Sequence, residues 1–182
     1  MSDDGRIGYF QHIAHGRKFY PCDPRADEIF IEDIAHALGN QCRFNGHTDC
    51  FYSVAEHCWH CSNVVPPEDA LEALLHDAAE AYLGDLIRPL KLLPELGGAY
   101  LKLERQLEAC IAERFGLTYP WPATVKAADE AVITAEMEQI IEHSVKGDLH
   151  DASVMADIEI HCWTPIRARM RFLDRYEVLS RV

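Results

Sequence analysis

Leu74-Leu75-His76-Asp77-Ala78-Ala79-Glu80-Ala81-Tyr82 sets an imidazole and a carboxylate side by side in an otherwise apolar run. Leu71, Leu74, Leu75, Ala78 and Tyr82 recur at helical spacing, so the stretch predicts a helix with one face in the core. Burying two such polar groups is costly unless a partner satisfies them. A divalent cation is a partner that satisfies both. Glu80 follows His76 by four residues and Asp77 by three, which brings a third acidic group to the same helix surface. A lone His-Asp pair is common, so the flanking segments decide what this one does.

Pro66-Pro67-Glu68-Asp69 opens the helix and Gly84 stops it. Upstream, Ser53-Val54-Ala55-Glu56 has the form of a capping box, which places His57 at the start of a helix running to about Val64. Before that, a helix is expected over 29–38, ending at Gly39-Asn40, and a loop over 41–51 carries Arg43, Phe44, Gly46 and His47. Residues 7–21 read as a short β-ribbon in which Ile7-Gly8-Tyr9-Phe10 and Lys18-Phe19-Tyr20 flank a turn at His15-Gly16. Downstream of the irregular stretch 85–91, a helix over 99–115 ends at Gly116. Another, following Pro120-Trp121-Pro122, runs from Ala123 to about His143 and carries Asp129. A loop bearing Gly147 and Asp148 leads to a last helix after Pro165, ending near Leu179. The expected fold class is all-α: a helical bundle with a small N-terminal β-ribbon, its site built from side chains on facing helices.

Bulk properties suit one domain over residues 1–182, with a ribbon extension over 1–25. No stretch approaches the roughly 18 apolar residues that would span a bilayer, and no membrane partner is expected. Met1-Ser2-Asp3-Asp4-Gly5 is acidic and polar, unlike a secretory signal. Seven cysteines at irregular positions predict reduced thiols and a cytoplasmic location. The net charge of −13 disfavours long nucleic acid, whose binding depends on neutralising phosphates. A small phosphorylated ligand or a divalent cation remains compatible with it.

His57, His76-Asp77 and Asp129 therefore fall on three helices in the order His…His-Asp…Asp. That order resembles the HD-domain metal-dependent phosphohydrolase superfamily. Phe51-Tyr52-Ser53-Val54-Ala55-Glu56-His57, Leu74-Leu75-His76-Asp77-Ala78-Ala79-Glu80 and Gly84-Asp85-Leu86-Ile87-Arg88-Pro89-Leu90-Lys91 are similar to blocks of its 5′-deoxynucleotidase branch. Arg43-Phe44 stands where that branch carries an Arg-aromatic pair. The resemblance covers about residues 30–135. In two respects the chain departs from it: the interval between His57 and His76 is short, and Phe44 replaces the Trp associated with excluding a ribose 2′-hydroxyl.

The resemblance implies a metal site of His57, His76, Asp77 and Asp129. Two imidazoles and two carboxylates suit one divalent transition metal (Mn, Co, Fe, Ni or Zn), with Mg a candidate at the substrate phosphates. Four protein ligands on an octahedral ion leave room for a phosphate oxygen and an acidified water. Glu80 is the expected proton acceptor and, with Asp77 and Lys91, makes up the catalytic group. Arg43, His47 and Lys91 are the expected phosphate contacts, Phe44 a nucleoside contact, and Asp85 a loop anchor or sugar contact. The implied substrate is a small nucleotide, and the implied assembly is a homo-oligomer, dimer or larger.

The favoured reaction is removal of the 5′-phosphate from a (deoxy)nucleoside monophosphate. Its rival is a deoxynucleoside triphosphate triphosphohydrolase releasing tripolyphosphate, which would need basic residues beyond the first phosphate; few occur near the motifs. From other classes come a non-catalytic metal- or nucleotide-binding regulator and a thiol oxidoreductase using Cys58-Trp59-His60-Cys61. No second C-x-x-C or His pair follows at zinc-finger spacing, so core packing is the simpler role for that pair. Arg167, Arg169, Arg171 and Arg175 read as a solvated face of the last helix or a subunit contact.

Overall fold

The computed structural model describes residues 5–141 and 152–181, and these are mostly helical with one small two-stranded sheet. In chain order the strands are β1 (Gln11–His12) and β2 (Lys18–Phe19). The helices are α1 (Ile31–Asn40), α2 (Val54–Val64), α3 (Ala70–Leu75), α4 (Glu80–Leu83), α5 (Arg88–Lys91), α6 (Pro94–Phe115), α7 (Ala123–Ile140) and α8 (Pro165–Leu179). The expected continuation of α7 to His143, the loop at Gly147-Asp148 and Met1–Asp4 lie outside the described residues. No described helix is long and apolar enough to cross a membrane.

Helix α2 is the hub, packed against α1, α3, α7 and α8. Its apolar side joins Ile34, Leu38, Leu74, Leu75, Leu107 and Phe172 in the main core. A smaller cluster of Cys61, Ala70, Ala73, Val125, Ala128 and Val132 knits α2 to α3 and α7. Burial at about 25 cal/mol per Å² makes these contacts the chief reason the three site-bearing helices hold together.

Several end signals act as expected. Ser53 Oγ accepts the N–H of Glu56 at 3.2 Å and starts α2. Gly116, with φ +69°, closes α6, where the Leu117 N–H bonds the Ala112 carbonyl at 2.9 Å. Thr164, which the sequence reading did not single out, caps α8 through the Arg167 N–H.

Other expectations are corrected. The helix predicted to run through His76-Asp77 is broken there. Ala78 N–H bonds Leu75 O at 3.0 Å and Glu80 N–H bonds Asp77 O at 2.9 Å, so residues 76–79 form tightened turns between α3 and α4. Ile7-Gly8-Tyr9-Phe10 is not a strand; the pairing is Gln11 with Phe19 and His12 with Lys18. Arg6 instead ties that segment to Asp23 at 2.7 Å and Glu28 at 2.5 Å. α6 begins five residues earlier than expected, because Pro94 provides its first turn. Gly97 is required there, since a Cβ would collide with the Lys91 backbone of α5.

The thiols are not all reduced. Cys50 and Cys162 form a disulfide with Cα atoms 6.0 Å apart, linking the loop before α2 to the approach to α8. The arginines of α8 are not a purely solvated face either. Arg175 donates to the Ser62 carbonyl at 2.7 Å, and Arg167 and Arg171 lie over the Trp163 ring.

Candidate metal centre

His57 lies one turn into α2 and is fully buried. Its Nδ1 meets Glu136 Oε1 at 2.6 Å. A carboxylate can only accept, so Nδ1 carries a proton and Nε2 is the ring nitrogen directed at the cluster. That nitrogen stands 3.1 Å from Asp129 Oδ1 and 3.6 Å from Asp77 Oδ2. His76 is fixed the same way: its Nδ1 donates to the Ala73 carbonyl at 2.8 Å. Its Nε2 is buried without a hydrogen-bond partner, 3.4 Å from Asp77 Oδ2 and 3.9 Å from Asp129 Oδ1.

Two ring nitrogens converge on two carboxylates, and a cation at their centre could be held by all four groups. Donors bonded at about 2.0–2.1 Å to one ion stand roughly 3.0–3.4 Å apart, so the observed separations need only a small contraction. His57, His76 and Asp129 lie with Cys61 in one group that could hold a metal ion, and Asp77, near both Nε2 atoms, falls in a second group with Cys58 and His76.

Glu136 is the residue that sequence reasoning missed. It is fully buried and also accepts Tyr52 Oη–H at 2.7 Å and Arg43 Nε–H at 3.3 Å. Burial opposes its charge, yet Arg43, His57 and Tyr52 outweigh that and hold its carboxyl at about 2. The arrangement is that of an outer carboxylate that orients a ligating histidine and makes it more basic. One signal was legible: Glu136 follows Asp129 by seven residues, two helical turns, on the face of α7 that also presents Val125 and Val132.

Helix α2 is further held by Glu56. Its carboxylate does not return to the cap but accepts the backbone N–H groups of His161 and Trp163, at 2.8 and 2.7 Å. Half of the expected capping box is therefore redirected to the strand of chain that leads into α8.

Glu80 is buried, with Oε2 unpartnered and Oε1 3.6 Å from Lys91 Nζ. Burial first, then Asp77 and Asp85, pushes its carboxyl well above the usual range. Lys91 also meets Glu104 at 2.9 Å. Arg43 reaches Asp77 Oδ2 at 3.4 Å as well as Glu136, so it braces the carboxylates rather than standing free. Phe44 is part-buried beside it in a turn with positive φ at Phe44, Asn45 and Gly46. Asp85 is part-buried, and burial raises its carboxyl, opposed by Arg43. His47 is exposed, with its backbone N–H on the Phe44 carbonyl, and no described contact brings it to the cluster. The two thiols of the C-x-x-C pair, assigned to packing, both adjoin the site.

A cavity of about 400 Å³ opens on His76 and Asp129. Tyr119 and Trp121 line it edge to face, 5.3 Å between centroids, and both donate to Glu108. Arg105 and Lys126 line it too, and both are exposed. Neither cation was given a role from the sequence, although Lys126 lies one helical turn before Asp129.

No family model matches the chain. The uncharacterized protein YfdR of Escherichia coli K12 is 44% identical over 126 residues, covering 69% of this chain and 68% of its own length. An uncharacterized protein of Rhodobacter capsulatus is 36% identical over 190 residues, covering 94% and 96%. With identity at this level across nearly its whole length, the chain belongs to the protein family that these two bacterial relatives represent.

Proposed function

We propose that the protein is a metal-dependent phosphohydrolase of the HD-domain type, acting on nucleotides. The observation that carries this reading is the convergence of the His57 and His76 Nε2 atoms with the Asp77 and Asp129 carboxylates, beside a cavity of nucleotide dimensions. When bound, the ion supplies Lewis acidity toward a phosphate oxygen and acidifies water. The chain's own residues do the rest. Glu136 and the Ala73 carbonyl hold both imidazoles in the ligating tautomer. Glu80, buried with its Oε2 unpartnered, takes the proton from the attacking water. Lys91 sits between Glu80 and Glu104 and neutralises the phosphate as the charge on oxygen grows. Arg43 keeps Asp77 in place.

Removal of a 5′-phosphate from a (deoxy)nucleoside monophosphate is the favoured reaction. The triphosphate reading gains from Arg105 and Lys126, the basic residues on the cavity wall that a longer phosphate chain needs. Product analysis across nucleoside mono-, di- and triphosphates with Mn²⁺ separates them. Inorganic phosphate from monophosphates supports the first, and tripolyphosphate from triphosphates the second. In either case Asp77→Ala sharply lowers turnover, because an expected metal ligand is lost. Binding of metal and nucleotide without turnover would overturn hydrolysis in favour of a regulator.

A further inference from the structure

We propose that Cys61 gives this centre a second, closed ligand set, so that a thiophilic ion such as Zn²⁺ is held by His57, Cys61, His76 and Asp129 in place of the set that includes Asp77. The inference rests on the metal-site reading above and concerns which ion the site accepts in a working state. Cys61 lies one helical turn after His57 on the same face of α2, and both side chains are fully buried. Its sulfur is 3.5 Å from His57 Nε2. Sulfur and nitrogen bonded to one tetrahedral zinc at about 2.3 and 2.0–2.1 Å stand about 3.5 Å apart. The Cys61 sulfur, a nitrogen from each of His57 and His76, and an Asp129 oxygen all lie within 4.8 Å of one another.

The two sets share three residues and differ in the fourth. Asp77 is the more exposed alternative, and Arg43 already engages its Oδ2. Thiolate favours zinc, whereas carboxylate and water suit harder ions such as Mn²⁺. On zinc binding the Cys61 thiol gives its proton to solvent and the sulfur becomes the fourth donor. Such a shell is that of a structural zinc site, with no position left for substrate. With Mn²⁺ the thiol stays protonated, Asp77 ligates, and open positions remain. The ion in the site then decides whether the centre is open or silent.

Cobalt(II) reports this directly, without any assay of turnover. One equivalent of Co²⁺ added to the metal-free protein should produce intense tetrahedral visible bands together with a thiolate-to-cobalt charge-transfer band in the near ultraviolet. The charge-transfer band should persist in Cys58→Ser and vanish in Cys61→Ser, which should still bind one Co²⁺. Zn²⁺ affinity should fall at least about tenfold in Cys61→Ser, while Mn²⁺ affinity stays within about threefold. On the unmodified protein, Zn²⁺ binding should release one more proton per ion than Mn²⁺ binding. Stoichiometric Co²⁺ binding without the charge-transfer band overturns the inference and leaves the four-ligand centre standing. So does loss of the band in Cys58→Ser alone. Failure to bind any ion sinks the metal centre itself.

Discussion

Replacing Glu136 with Gln removes a charge at the one point where three site residues meet. The carboxylate accepts from His57 Nδ1 at 2.6 Å, Tyr52 Oη at 2.7 Å and Arg43 Nε at 3.3 Å, all in full burial. An amide keeps one oxygen to accept but turns an N–H₂ toward groups that are themselves donors. Removing one partner of a buried charge pair costs about 3–5 kcal/mol. Arg43 retains Asp77, so the lower end, about 3 kcal/mol, is expected in the metal-free protein. Loss of the outer carboxylate should also weaken metal binding by about 10–100-fold, since the His57 ring is no longer held in its tautomer. Urea unfolding in chelator measures the first effect. Competition with a chromophoric chelator measures the second. A domain of ordinary stability, about 5–15 kcal/mol, survives the loss, so both can be read. If stability falls but metal affinity stays within threefold of the wild type, Glu136 is a structural anchor and the account of His57 is wrong.

Gly97→Ala should be destabilising by about 1–3 kcal/mol, the range for forced overpacking, because its new Cβ meets the Lys91 backbone. The same displacement should move Lys91 from Glu80 and lower turnover at saturating metal, read by phosphate release. Glu108 provides a pH test away from the ligands. Burial raises its carboxyl, opposed by the Trp121 and Tyr119 hydrogen bonds, so the folded state binds this proton more readily than the unfolded chain. Its charge therefore costs stability above the folded-state pKa, and the cost disappears as pH falls through that value toward the unfolded value of 4.5. Glu108→Gln, whose one oxygen accepts the Trp121 N–H while its N–H₂ donates to the Tyr119 hydroxyl, should gain stability relative to the wild type as pH rises from 4.5 to 8, as measured by urea titration.

Local signals carried much of the fold. Ser53 and Gly116 bound their helices through bonds to residues within a turn, and such bonds depend on neighbours in the chain alone. Of the four ligand candidates, His76-Asp77 stood out as polar groups among apolar neighbours, whereas His57 and Asp129 were picked out by the resemblance to the HD-domain superfamily. What escaped was long-range. Periodicity cannot report that residues 76–79 tighten, because i→i+3 and i→i+4 bonding place apolar residues at nearly the same spacing. Ile7-Gly8-Tyr9-Phe10 has strand-like composition, but Arg6 binds Asp23 and Glu28 and overrides it. Cys50 and Cys162 are 112 residues apart, and only the fold brings them into bonding range. Arg105 and Lys126 reach the cavity from α6 and α7, which is why the chain looked poor in cations near the site.

The central claim is that two imidazoles and two carboxylates from α2, the α3–α4 junction and α7 hold one divalent ion. Titration of the chelator-stripped protein with Mn²⁺, followed by the loss of its free paramagnetic resonance signal, tests this directly. The account predicts one ion per chain in the wild type and none of comparable affinity in Asp129→Ala with its helical content intact. Undiminished binding in that variant, or no binding in the wild type, would contradict it.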